Sequence, residues 1–209
     1  ARILRRRLLQ AGYAESDGLD TLGRDDMSYV LRFVFRPDRV PTLQSVALEA
    51  QEQTYKHLNL QSMHLTMIPV FVYRHAHWIV SLDLSMNPLS DLPLDFVQLC
   101  TNLRMLRCCA LSLKYVPQSI TGAATLTHID FSTNRIPELS HISLDALPEL
   151  KVIKMLNNRL SVMPEYTPRL FALSYLNLSN NRFDTFPQAL CDVPQLKDLD
   201  LSFNTISHI

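Results

Sequence analysis

Few residues in this sequence have the types and spacing that chemistry requires. Four cysteines occur, Cys100, Cys108, Cys109 and Cys191, with no Cys-x-x-Cys pair and no histidine at metal-ligand spacing from them. The adjacent thiols Cys108 and Cys109 read as a redox pair or, more plainly, as one packed residue beside one outward-facing residue. His75 and His77 lie beside Trp78, a combination that packs a surface cap more readily than it binds a metal. Asn177-Leu-Ser has the form of a glycosylation acceptor. The run Arg5–Arg7 could touch anionic lipid, or simply form the solvated face of a short helix. Beyond residue 23 the only glycine is Gly122, which leaves no Gly-rich loop to cradle a phosphate. No acid–base pair, nucleophile triad or metal-ligand motif stands out, so no catalytic residue, metal or cofactor is expected in this stretch.

A larger set of polar residues recurs with the chain's own period. The pattern LxxLxLxxNxLxxLP begins at Tyr55, Ile79, Leu103, Leu126, Leu150, Leu173 and Leu196, at spacings of 24, 24, 23, 24, 23 and 23 residues. Leu173-Ser-Tyr-Leu-Asn-Leu-Ser-Asn-Asn-Arg-Phe-Asp-Thr-Phe-Pro is its clearest copy. Such a pattern identifies the chain as a leucine-rich-repeat solenoid of α/β class, a horseshoe with parallel strands on its concave face. In each copy the LxxLxL segment is a short strand whose paired apolar residues, from Leu58/Leu60 to Leu199/Leu201, enter a shared core. The asparagine that follows (Asn87, Asn134, Asn158, Asn181, Asn204) turns inward and bonds backbone groups that the strands leave free. Met63 and Leu111 replace it in the first and third copies, which predicts poorer stacking there. A proline starts the return segment at Pro69, Pro93, Pro117, Pro164 and Pro187. The fourth copy has Ser140 at that position and Pro137 earlier, so its convex side should be reshaped.

Composition fits this reading. With 47% hydrophobic and 19% charged residues the chain can fill a continuous core, and its formal net charge of zero argues against a general grip on nucleic acid. No apolar run is long enough to span a bilayer, and no secretion signal opens the chain. Repeat proteins outside the cell usually carry disulfide-bearing caps, and nothing similar precedes the first copy, so a cytoplasmic location is expected. The absence of an initiator Met and an end in mid-repeat suggest a piece of a longer protein.

Residues 1–54 stand outside the repeat. Ile3 to Gln10 reads as a short basic helix, Gly12 to Gly23 as turns, and Tyr29 to Phe35 as a strand. Residues 37–54 read as a linker and N-terminal cap, and residues 55–209 as about seven repeats, the last truncated. Arg5-Arg-Arg-Leu-Leu-Gln-Ala-Gly-Tyr followed by Leu19-Asp-Thr-Leu-Gly-Arg-Asp-Asp-Met-Ser-Tyr-Val-Leu-Arg-Phe-Val-Phe resembles the end of the Ras-associating domain of fungal adenylate cyclases. Lys56-His-Leu-Asn-Leu and Trp78-Ile-Val-Ser-Leu-Asp-Leu-Ser-Met-Asn-Pro-Leu-Ser-Asp-Leu-Pro resemble the start of that family's repeat array.

The resemblance implies that residues 1–36 are the end of a ubiquitin-like Ras-associating fold. It further implies a parent enzyme that converts ATP to cyclic AMP and pyrophosphate, with Mg2+ in a catalytic domain elsewhere. The implied partners are a Ras-type small GTPase and other cyclase-associated proteins, with peripheral membrane association through them. A non-enzymatic repeat scaffold of a Ras pathway, or the array of a PH-domain leucine-rich-repeat phosphatase, would share the same layout.

Outward-facing strand residues should line the concave face, where such solenoids usually bind. Arg104/Arg107 and Lys151/Lys154 flank His128 and would form a basic strip for an acidic partner. Because interfaces favour Arg and Tyr, Arg104, Arg107 and Tyr175 are the leading candidates. The plainer reading is a solvated face of alternating charge. Met86 and Phe203 are expected on the same face.

Overall fold

The computed structural model describes residues 56–207. The helix, turns, strand and linker expected within residues 1–54 lie outside the described residues. Seven three-residue strands, β1 (His57–Asn59), β2 (Ser81–Asp83), β3 (Met105–Arg107), β4 (His128–Asp130), β5 (Val152–Lys154), β6 (Tyr175–Asn177) and β7 (Asp198–Asp200), form one parallel sheet in chain order. Parallel neighbours need a crossover, and here each crossover is a single short return segment.

The strands are short because only one residue per strand points inward. Leu58, Leu82, Leu106, Ile129, Ile153, Leu176 and Leu199 are register partners from β1 to β7, and all but Leu199 are buried. A second apolar column follows two residues later, including Leu60, Leu84, Cys108, Phe131, Met155 and Leu178. Each such side chain contributes roughly 1.5–3 kcal/mol when fully buried. Because copies stack, every column is shared between neighbours and the core is one continuous cluster.

Return segments close the core on the other side. Helices α1 (Val70–Arg74) and α2 (Leu94–Leu99) serve the first two copies, each preceded directly by Pro69 or Pro93. Short 3-10 turns at Gln118–Gly122 and Gln188–Leu190 likewise follow Pro117 and Pro187. In the fourth copy the turn Leu144–Ala146 follows Ser143 instead, while Pro137 is exposed on the approach. The fifth copy's turn, Thr167–Arg169, also starts late, after Tyr166, although Pro164 keeps its place, so the shift is not particular to the copy with the displaced proline.

After each strand the chain turns through a left-handed residue (Ser62, Met86, Ala110, Thr133, Asn157, Asn180 and Phe203, φ between 52° and 59°), and the first and third copies add a second, His64 at 57° and Ser112 at 63°. None is glycine. Their amides extend the ladder, as Met86 N–H to the Cys109 carbonyl and Asn180 N–H to the Ser202 carbonyl, both at 2.8 Å, illustrate. Met86 and Phe203 therefore sit in this turn beyond the strand ends, not on the strand face expected for them.

The asparagines work across copies. Asn134 accepts from the Leu111 and Leu113 amides at 3.1 and 3.0 Å, and donates to the Cys108 and Phe131 carbonyls at 2.9 and 2.8 Å. Asn87 does the same for Met63, Leu65 and the Leu60 carbonyl. Asn158, Asn181 and Asn204 reach back to Ile136, Leu160 and Phe183. Each carboxamide thus serves the copy before its own. Copies one and three, which lack the residue, are served by Asn87 and Asn134. The consequence of Leu111 falls on the second copy, where the Leu89 amide has no acceptor among the described residues.

Candidate functional site

Register alone assembles the outward face of β3 to β6 into three parallel rows. Met105, His128, Val152 and Tyr175 form the central one. Arg107, Asp130, Lys154 and Asn177 form the second. The third, one residue ahead of the strands, is Arg104, Thr127, Lys151 and Ser174, of which Arg104 and Lys151 are exposed and Thr127 is buried. Backbone bonds of 2.9, 2.8 and 2.9 Å link its successive members. A shallow cavity of about 350 Å³ is lined by the central row together with Arg107, Asp130 and Lys154.

Of the residues the sequence singled out, Arg107, His128, Lys154 and Tyr175 therefore meet at one cavity. Arg104 and Lys151 do not line it; they stand exposed in the row beside it. Val152 is a floor residue that a search for polar candidates passes over. Its alignment with His128 and Tyr175 within the repeat is the signal that finds it.

The charges are only loosely committed. Arg107 lies 3.9 Å from Asp83, with its side chain half exposed, so this pair contributes little. Among the described residues Arg104, Lys151 and Lys154 make no ion pair. Lys154 Nζ sits 5.9 Å from the centre of the Tyr175 ring, within cation–π range. Asp130 is occupied within its own turn, accepting from the Ser132 amide at 3.1 Å and from its hydroxyl. His128 Nδ1 is 2.8 Å from Thr127 Oγ1. Its pKa is lowered by burial first, then by the charges of Lys154 and Lys151, which keeps the ring neutral near pH 7. The central row is thus an uncharged strip of thioether, imidazole, aliphatic and phenol groups, with cations on both sides.

Elsewhere the candidates resolve into packing. Cys108 is fully buried and Cys109 half-buried, its amide donating to Ser85 Oγ at 3.0 Å. Burial pushes the Cys100 and Cys109 thiols up to about 12 and raises Cys108 as well, so all three are held as thiols. His75 stacks on Trp78 at 5.4 Å and His77 meets its edge at 4.9 Å. The Asn177 side chain is engaged, accepting from Ser179 and donating to Asp200 at 3.1 Å. Among the described residues no group of three or more His, Cys, Asp or Glu side chains is placed to hold a metal ion. Among the same residues no helix is long and apolar enough to cross a membrane.

Residues 1–35 match the family described as the PHLPP protein RA domain, and residues 156–206 match the leucine-rich-repeat family. An adenylate cyclase of Mycosarcoma maydis is 62% identical over 120 residues, covering 57% of this chain and 5% of that protein. An adenylate cyclase of Neurospora crassa is 38% identical over 210 residues, covering 100% of this chain and 9% of that protein. The chain thus spans no more than a tenth of these relatives. A leucine-rich-repeat protein of Leptospira interrogans superposes with a TM-score of 0.66 at 23% identity, over 78% of this chain and 40% of that one. That likeness bears on the fold, whereas the sequence matches run from the N-terminal stretch through the repeats. The chain is a relative of the fungal adenylate cyclases, corresponding to a segment in which a Ras-associating-like stretch leads into a leucine-rich-repeat solenoid.

Proposed function

We propose that this chain is a regulatory, protein-binding segment of a fungal adenylate cyclase and that its sheet face receives a Ras-type small GTPase. The observation that carries the reading is sequence identity to fungal adenylate cyclases along essentially the whole chain. The parent would convert ATP to cyclic AMP and pyrophosphate in a Mg2+-dependent catalytic domain elsewhere, in the cytoplasm, with the GTPase bringing it to the membrane periphery. The cation-flanked face supports the choice of an acidic protein partner. The test is a pulldown of the chain with GTP-loaded and GDP-loaded Ras. Preferential capture of the GTP form, weakened by R104E/R107E, is the expected outcome. Equal binding of the two forms, or none, would remove the Ras-receiving role.

The match of residues 1–35 to the PHLPP RA domain gives one alternative some support: the repeat array of a PH-domain leucine-rich-repeat phosphatase. A metal-dependent phosphatase domain in the parent chain, in place of a cyclase domain, would establish that reading.

A further inference from the structure

We infer that the furrow across β3 to β6 is shaped for an amphipathic α-helix of a partner protein, apolar on its seated face and acidic on both shoulders. This rests on the sheet face being the partner-receiving surface, as proposed above, and not on the partner being a GTPase. The central row runs along the solenoid axis from Met105 to Tyr175 with no formal charge. Three strand spacings make it about 14 Å long, which matches about ten residues of helix. On one side stand Arg104 and Lys151, on the other Arg107 and Lys154, each pair two strands apart.

The spacings select the occupant. Within one repeat the two cation rows are three residues apart along the chain, about 10 Å in extended backbone. A helix with its side chains is about 10–12 Å wide, so one lying in the furrow brings a shoulder to each row. Cations two strands apart are separated by about 9.6 Å, close to the ~10.5 Å rise of seven helical residues. Carboxylates in a heptad repeat on either shoulder, with apolar residues at the a and d positions between them, would meet all four cations. An extended segment lying along the furrow would not. Its side chains point up and down, and its edges present backbone groups to the cations.

Charge supports the same occupant. Asp130 is held by Ser132 and Asp83 only grazes Arg107, so the four cations outnumber the carboxylates among them. No charged group lies in the central row.

The experiment uses the whole chain and a fluorescein-labelled peptide of about three heptads, long enough to hold a helix, with Leu at a and d and Glu at e and g. Fluorescence anisotropy should show saturable binding that weakens as salt rises. Two controls should not bind: a scrambled peptide of the same composition, and one with Lys in place of Glu. The variants R104E/K151E and R107E/K154E change exposed or cavity-lining side chains, and each should weaken binding by roughly tenfold or more. R104K/K151R should retain it, and circular dichroism checks that every variant is folded. Equal binding of the scrambled peptide, or undiminished binding to both charge-reversed variants, overturns the inference. GTP-loaded Ras captured by a chain that ignores the helical peptide sinks this inference and spares the Ras reading. The reverse result does the opposite.

Discussion

Replacing Asn134 by Ala probes the inter-copy joint in a buried setting. Asn134 is 8% exposed, and its carboxamide closes two amide donors and the Cys108 carbonyl across the joint between the third and fourth copies, and the Phe131 carbonyl of its own copy. Alanine leaves the Leu111 and Leu113 amides facing apolar surroundings, and each stranded donor costs about 1–3 kcal/mol. The Phe131 carbonyl keeps a second donor in Asn158, so the acceptor side loses less. The expected loss is therefore about 2–6 kcal/mol, near the upper range for a single substitution. Asn204 makes the corresponding bonds in a more exposed place, where water can replace them. N204A should cost about 1 kcal/mol, the net worth of an ordinary hydrogen bond. Urea unfolding followed by circular dichroism measures both, with hydrogen exchange locating the loss at Leu111 and Leu113. If N134A costs under 1 kcal/mol, or no more than N204A, the carboxamide ladder is not what holds adjacent copies together.

Other outcomes follow from the same geometry. In the unchanged chain the Leu89 amide should exchange faster than the Leu113 amide, because Leu111 supplies no acceptor where Asn134 does; hydrogen-exchange mass spectrometry reads the comparison, and L111N should slow exchange at Leu89. His128 has a lowered pKa in the folded chain, so its stabilising effect is complete above its ordinary value of 6.5 and fades as pH falls through the folded value. The urea midpoint should accordingly decline from pH 7.5 towards 5.5 with a shallower slope in H128Q; an unchanged slope would refute the assignment. A thiol reagent at pH 8 should label exposed Cys191 well before Cys100, Cys108 or Cys109, whose thiolates burial disfavours, and peptide mapping resolves the four.

The repeat period, the inward leucines, the asparagine positions and the displaced proline of the fourth copy were legible in the sequence. Each is a local pattern that recurs at a near-constant interval, and stacking such units leaves one economical way to bury them. The resemblance to fungal adenylate cyclases was legible too, from residues at the junction with the first repeats. Two matters needed the tertiary structure, for one physical reason: stacking makes neighbours of residues 23 or 24 positions apart. Sequence assigns a missing asparagine to its own copy, whereas its side chain reaches the copy before, so Leu111 leaves the second copy's Leu89 amide unserved. Sequence likewise marks Arg104, Arg107, Lys151 and Lys154 as cations near His128. Only the register places Val152 between His128 and Tyr175 and turns the scattered charges into two rows around an uncharged furrow.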